Sequence, residues 1–108
     1  MAKKKGNIKK IITEYLRNLN GLGIEVSQII LYGSFAKVNP KKHSDIDIAV
    51  VSPTFRKLDI FQRQEVLSKA HHRLGEPIEP IGLTPDQIKG KKGLVREILG
   101  TGIVLYKK

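Results

Sequence analysis

The chain has 108 residues, 20 Lys and Arg against 10 Asp and Glu, no cysteine and a formal net charge of +10. This length predicts one domain, and the lack of cysteine excludes disulfides and thiol chemistry and favours a cytoplasmic setting. No apolar run exceeds four residues, so neither a membrane-spanning helix nor a signal peptide is expected. The positive charge predicts an anionic partner such as a nucleic acid, a nucleotide or an acidic protein.

The chain begins with a lysine-rich stretch and a predicted helix. Residues 1–6 contain three consecutive lysines and are expected to form a disordered basic tail, with a nucleic-acid-binding arm as the alternative. From Ile8 to Leu19 the apolar residues recur every three or four positions, which predicts an amphipathic helix capped by Asn7. The whole of residues 1–108 is expected to form a single domain around one core.

Two predicted strands follow, separated by a polar segment. Residues 26–32 are rich in β-branched and apolar side chains, which predicts a central strand covered on both faces. Residues 45–51 alternate, so this second strand is expected to present different residues on its two faces. Between them, residues 35–44 predict a short helical turn that leads into an exposed basic loop.

The second half of the chain alternates helices and strands. The predicted elements are a helix over 58–74, a short strand over 77–83, helices over 85–88 and 94–99, and a strand over 103–106. Phe61 is expected on the buried side of the long helix. Pro80 lacks an N–H, so its strand is expected at a sheet edge or broken there. These elements predict an α/β (α+β) fold with a small mixed β-sheet flanked by helices.

A candidate phosphate site lies at the end of the first predicted strand. Gly33 and Ser34 stand where this strand gives way to a predicted helix start, where backbone N–H groups and the helix dipole can hold a phosphate. Glycine lets a ligand approach the backbone closely, and the serine hydroxyl adds a donor. The same dipeptide by itself is also typical of an ordinary turn.

Two carboxylates open the second strand. Asp45 and Asp47 are two residues apart, so both point to the same face, with Cα atoms about 6.5 to 7 Å apart. Neighbouring like charges repel unless a cation lies between them, and carboxylate oxygens are ligands that Mg²⁺ prefers. The alternative is a solvated strand end. Together with the phosphate turn, the pair indicates two-metal nucleotidyl transfer.

These residues form a pattern that resembles a known family. Residues 31–36 (LYGSFA) and 44–50 (SDIDIAV), with ten residues between Ser34 and Asp45, resemble the GSx10DxD signature of minimal nucleotidyltransferases (MNT) in the DNA polymerase beta superfamily. Residues 100–106 (GTGIVLY) also resemble the closing strand of these domains. The chain is most similar to small MNT domain proteins, many of which are antitoxins paired with HEPN ribonuclease toxins.

The resemblance implies a DNA polymerase beta-type nucleotidyltransferase fold and a reaction. The reaction would be the transfer of AMP, or another nucleoside monophosphate, from ATP or another NTP to a hydroxyl acceptor with two Mg²⁺ ions. Gly33 and Ser34 would bind the triphosphate, and Asp45 and Asp47 would ligate the metals.

Further site residues are also implied by the resemblance. The third catalytic and metal-ligating carboxylate of the family would be Glu79, with glutamate in place of the more usual aspartate, and Glu76 is the alternative. Lys37 keeps one of the basic residues that follow the serine in many relatives and would bind the phosphates. Val38 replaces a glycine of that pattern, a departure that bears on the path of the basic loop and on nucleotide affinity.

Three functions from different classes follow from these observations. The first is a protein adenylyltransferase (EC 2.7.7) that modifies a tyrosine of a partner HEPN toxin and so acts as its antitoxin. The second is a catalytically weak antitoxin that acts only by binding its partner. The third is a basic nucleic-acid-binding domain, based on lysine clusters such as residues 89–92. Either a homo-oligomer or a hetero-oligomer is compatible with the apolar helix faces, and no membrane association is expected.

Overall fold

The structure, a computed structural model, describes residues 5–33, 46–72 and 78–108. These residues form, in chain order, α1 (Lys5–Gly21), β1 (Gln28–Tyr32), β2 (Ile46–Val51), a 3-10 helix (Pro53–Lys57), α2 (Ile60–His71), β3 (Ile78–Leu83), α3 (Pro85–Gly90), α4 (Leu94–Thr101) and β4 (Ile103–Lys107). None of the helices in these ranges has the length and apolar character needed to cross a membrane.

The strands form one mixed sheet in the order β3-β2-β1-β4. β1 is antiparallel to β2 and β4, whereas β2 and β3 are parallel because α2 carries the chain back along the sheet between them. Pro80 lies in β3, which is an edge strand, as the missing N–H predicts. The sheet and its flanking α-helices confirm the predicted fold class.

Alternate residues of the central strands face two apolar clusters, one on each side of the sheet. Ile48 belongs to the cluster under α1 and α2, and its neighbour Ala49 belongs to the cluster under α4, which also contains Ile98. The alternation predicted for the second strand is therefore confirmed over residues 46–51. Both strands at the centre of the sheet are covered, which explains their apolar composition.

Two side-chain hydrogen bonds join α1 to α2. The buried Tyr15 hydroxyl donates to the carbonyl oxygen of Leu67 at 3.0 Å, and the Asn18 amide donates to that of Ala70 at 2.8 Å. Burial raises the pKa of the Tyr15 phenol. The helices therefore meet through polar contacts as well as through the apolar stripe predicted from sequence.

The start of α1 differs from its prediction. The helix begins at Lys5, so Asn7 lies within it and does not cap it. Neither Lys5 nor Gly6 breaks a helix as an internal proline would, and the helical backbone continues through both. Residues 5 and 6 of the predicted tail are thus helical, and residues 1–4 lie outside the described ranges.

The second helix is shorter than predicted, and one residue expected in its buried face is exposed. Asp59 and Gln62 form a capping box that starts α2 at Ile60, and the helix ends at His71 instead of residue 74. Phe61 is 83% exposed. It precedes the buried Ala70 by nine residues, which at about 100° each places the two on opposite sides of the helix.

Candidate active site

The sheet brings three polar residues into one row. Tyr32, the last residue of β1, pairs with Asp47 in β2, and Asp47 pairs with Glu79 in the parallel strand β3. Paired residues on neighbouring strands lie on the same face of a sheet, with strands about 4.8 Å apart. The end of β1 and the starts of β2 and β3 therefore present two carboxylates beside a phenol.

Gly33 is fitted closely to Asp47. Its φ is +74°, a conformation that side chains other than glycine rarely adopt. A Cβ atom on Gly33 would collide with the Asp47 carboxylate, since it would lie 3.2 Å from Cγ and closer still to Oδ2. The missing side chain thus leaves room for the carboxylate beside the backbone at the end of β1.

The phenol of Tyr32 is partly buried and lies near several acidic side chains. Burial, followed by the charges of Asp47, Glu79 and Glu97, raises the pKa of its phenol. The phenol therefore stays protonated at neutral pH and keeps its hydrogen for donation to an anionic group. Glu97 belongs to α4, so this helix adds a third acidic side chain near the same end of the sheet.

Sequence reasoning missed Tyr32 and Glu97 as members of this environment. The signal available for Tyr32 was its place next to Gly33 in the motif of residues 31–36, which puts it beside the predicted phosphate site. Its pairing with Asp47 depends on the register of β1 and β2, which are separated by residues 33–45, and a connection of that length does not fix register. Glu97 carries no local signal, because only the packing of α4 brings it near Tyr32.

The structure describes part of the site predicted from sequence. Gly33, Asp47 and Glu79 are described and lie together at one end of the sheet; Asp47 is half-buried and Glu79 is exposed. The remaining predicted site residues lie outside the described residues: Ser34, Lys37, Asp45 and the alternative carboxylate Glu76. Their assignments stay predictions.

The described carboxylates have the chemistry of a divalent-metal site. Asp47 and Glu79 supply hard oxygen donors from adjacent strands, and the space beside Gly33 admits the Asp47 carboxylate. Within residues 5–33, 46–72 and 78–108, no group of three or more His, Cys, Asp or Glu residues is arranged to hold a metal. The further carboxylate predicted from sequence, Asp45, lies outside the described residues.

Similar folds occur in solved structures. A protein from Sulfolobus solfataricus described as a "putative nucleotidyltransferase" matches with a TM-score of 0.67 and 19% identity, over 100% of this chain and 93% of that chain. A toxin-antitoxin complex with AMP-PNP matches with a TM-score of 0.64 and 22% identity, over 93% and 73%. A complex of tri-AMPylated Shewanella oneidensis HEPN toxin with an MNT antitoxin matches with a TM-score of 0.60 and 21% identity, over 97% and 74%.

These structural similarities show a shared fold, and a sequence-family comparison defines the family. A search of curated proteins found no match. The family model described as "Polymerase beta, Nucleotidyltransferase" matches residues 7–108, which is nearly the whole chain. The resemblance inferred from the glycine-serine turn and the paired aspartates is confirmed, and the chain belongs to the polymerase beta nucleotidyltransferase family.

Proposed function

We propose that this protein is a Mg²⁺-dependent nucleotidyltransferase that transfers AMP from ATP to a protein hydroxyl. The observation that carries the proposal is the pairing of Asp47 with Glu79 on parallel strands, with Gly33 shaped to receive the Asp47 carboxylate. A pair of carboxylates at the starts of β2 and β3, beside the glycine that follows β1, fits a metal-bound triphosphate.

Two of the three proposed metal ligands, Asp47 and Glu79, lie in the sheet. Asp47 and Glu79, together with Asp45, would hold two Mg²⁺ ions, which supply charge neutralisation and polarise the reacting oxygens when bound. The tight approach at Gly33 would fix the Asp47 carboxylate relative to the triphosphate. Because positioning and electrostatics dominate phosphoryl-group chemistry, a shift of either carboxylate would weaken catalysis.

The nucleotide would be bound by the turn after β1. The backbone at Gly33 and the hydroxyl of Ser34 would contact the triphosphate, and Lys37 would neutralise part of its charge. The phenol of Tyr32 remains protonated beside this region and can donate to a phosphate oxygen or a carboxylate. ATP and Mg²⁺ would place the reaction in the cytoplasm.

The proposed acceptor is a tyrosine of a HEPN-type toxin, which would make this protein an antitoxin. Support comes from the toxin-antitoxin complexes of the same fold, one of which contains AMP-PNP and another an AMPylated toxin. Modification of a tyrosine hydroxyl would add a bulky, charged group to the toxin and block its ribonuclease surface. The partner would be encoded beside this protein.

The test uses α-labelled ATP, Mg²⁺ and the protein encoded by the neighbouring gene. We expect AMP transfer to the partner, reduced roughly 100-fold or more by Asp47→Asn or Glu79→Gln, because each change removes a charged metal ligand. Glu65→Gln is the matched control, since Glu65 is an exposed carboxylate on α2. It should leave the rate unchanged.

Two outcomes would contradict parts of this proposal. Undiminished AMP transfer by the double variant Asp45→Asn/Asp47→Asn would show that these carboxylates are not the metal ligands. If instead the double variant still neutralised the toxin in cells while transferring no AMP, the protein would act by binding alone, which is the alternative antitoxin function.

A further inference from the structure

A basic groove lies at the end of the sheet opposite the carboxylates. It has a volume of about 420 Å³ and is formed where β1 starts and β2 and β4 end, under α3. Val51 and Ile88 contribute apolar walls, whereas Lys89, Lys107 and Lys108 bring three cations from two sides. Gln28 lies in this groove and Tyr32 in the row of polar residues. They are four positions apart in β1, a distance of about 13 Å along the strand.

The nearby acidic groups leave the groove positive. Glu25 is bound to Lys108 at 2.6 Å, and Asp86 is bound to Arg56 at 2.8 Å, although Asp86 also attracts Lys89. Over the described ranges, neither Lys89 nor Lys107 forms an ion pair. Within the described residues, Lys89 and Lys107 therefore leave positive charge in the groove for a ligand.

The positive surface continues along the loop between α3 and α4. Lys91 and Lys92 are exposed and lie between Gly90 and Gly93, and Lys91 adopts a left-handed conformation with φ of +49°. From residue 84 to residue 108 the chain carries six Lys and Arg residues against two acidic ones. This cationic loop directly follows Lys89, which lines the groove, in the chain.

The residue types indicate a phosphate backbone as the ligand. Interfaces between proteins are enriched in aromatic residues and arginine and depleted in lysine, and this groove shows the opposite pattern. Among the described residues that line it, none is aromatic, so these residues offer no platform on which an unpaired base could stack. The flexible, positively charged side chains of lysine can contact the phosphates of a duplex, whose bases are already paired.

We propose that this groove and the Gly90–Gly93 loop bind the phosphodiester backbone of a nucleic acid duplex. The bound duplex would lie at the opposite end of the sheet from the proposed nucleotide site, so both could be occupied together. Binding would be independent of base sequence and would weaken steeply with salt, because it arises from displacement of counterions by lysines.

The test compares two double variants that both lower the net charge from +10 to +8. Lys89→Gln/Lys107→Gln changes the groove, and Lys9→Gln/Lys10→Gln changes α1, which packs on the other face. Binding to a short fluorescent RNA duplex, and to a DNA duplex of the same sequence, is measured by anisotropy over a range of salt concentrations. Circular dichroism establishes that each variant is folded.

We expect the groove variant to bind roughly tenfold or more weakly near 0.1 M salt, and its salt slope on DNA to fall by about 1.8, or 0.9 per lysine. The α1 variant should bind almost as the natural sequence does. Preference for one duplex would identify whether RNA or DNA is the ligand. Equal weakening by both variants, no binding to either duplex, or competition by polyglutamate as effective as by the duplex would overturn the proposal.

Discussion

Gly33 controls how closely the backbone at the end of β1 approaches Asp47. An alanine at this position would have to adopt a φ of +74° and would collide with the Asp47 carboxylate. We expect Gly33→Ala to destabilise the protein by about 1 to 2 kcal/mol and to lower AMP transfer at least as much as Asp47→Asn does. Urea denaturation and the labelling assay measure the two effects.

Gly23→Ala is a matched control for this substitution. Gly23 has a φ of +86°, but a Cβ atom there would meet no other atom within 4 Å. It should cost a similar backbone strain while leaving transfer activity unchanged. If both variants lost activity equally, the effect of Gly33→Ala would come from backbone strain and not from displacement of the carboxylate.

Tyr32 can report on the charges of the site. Because Asp47 is one of the carboxylates that raise its pKa, Asp47→Asn should lower the pKa of Tyr32 toward the ordinary value. Burial remains the largest cause, so the pKa should stay raised in the variant. An NMR titration of ring-labelled tyrosine without Mg²⁺, with Tyr32→Phe to assign the signal, measures the change.

Glu65→Gln serves again as the control, since Glu65 pairs with Lys69 on α2 and is not among the groups that shift Tyr32. An unchanged Tyr32 titration in Asp47→Asn would mean that the two side chains do not interact electrostatically in solution. It would then contradict the row of side chains inferred from the strand register.

At the scale of elements, the Tyr15 hydroxyl couples α1 to α2. Its hydrogen bond to the Leu67 carbonyl is buried, so Tyr15→Phe should lower the free energy of unfolding by about 1 to 2 kcal/mol at neutral pH. Burial also raises the pKa of Tyr15 in the folded protein above its ordinary value of 10.0. Unfolding therefore releases a proton at alkaline pH.

Because unfolding releases this proton, the stability of the protein should fall as the pH rises. The stability from Tyr15 is fully present below pH 10 and is lost as the pH rises above it, by up to about 1.4 kcal/mol per pH unit. In Tyr15→Phe the alkaline decline should be shallower in urea denaturation. Tyr106→Phe is the control, because among the described residues the Tyr106 hydroxyl makes no hydrogen bond. An equal decline in both variants would contradict the role of Tyr15.

The sequence predicted the elements better than their contacts. The alternation of residues 45–51 predicted the two faces of the second strand, and the missing N–H of Pro80 predicted an edge or broken strand, because both are properties of the local backbone. The prediction that Phe61 is buried was wrong, because apolar character alone does not tell which side of a helix is covered. The pairing of Asp47 with Glu79 joins strands separated by a helical crossover, so its register was not readable from local pattern.

At the scale of the whole molecule, the excess of basic residues opposes folding. The chain has a net charge of +10, and the described residues form three exposed ion pairs: Arg56 with Asp86, Lys69 with Glu65, and Lys108 with Glu25. Exposed pairs contribute little, whereas repulsion among like charges acts over the whole surface. Salt should therefore stabilise the protein.

We expect the free energy of unfolding to rise by about 1 kcal/mol between roughly 0.02 M and 0.3 M NaCl, as screening reduces this repulsion. Urea denaturation at each salt concentration measures it. Lys9→Gln/Lys10→Gln, with a net charge of +8, should show a smaller rise. A fall in stability with salt would show that attractive pairs outweigh the repulsion.

The position of Glu79 on an edge strand has a consequence for ligand binding. β3 is held by one neighbouring strand and by α2, and Pro80 contributes no N–H to the ladder. Partial opening of β3 would remove one carboxylate while β1, β2 and β4 stayed paired. A metal-nucleotide complex that needs Glu79 binds only when β3 is docked, so its binding shifts that local equilibrium toward the closed sheet. Substrate would thus protect the amides of β3 from hydrogen exchange more than those of β1.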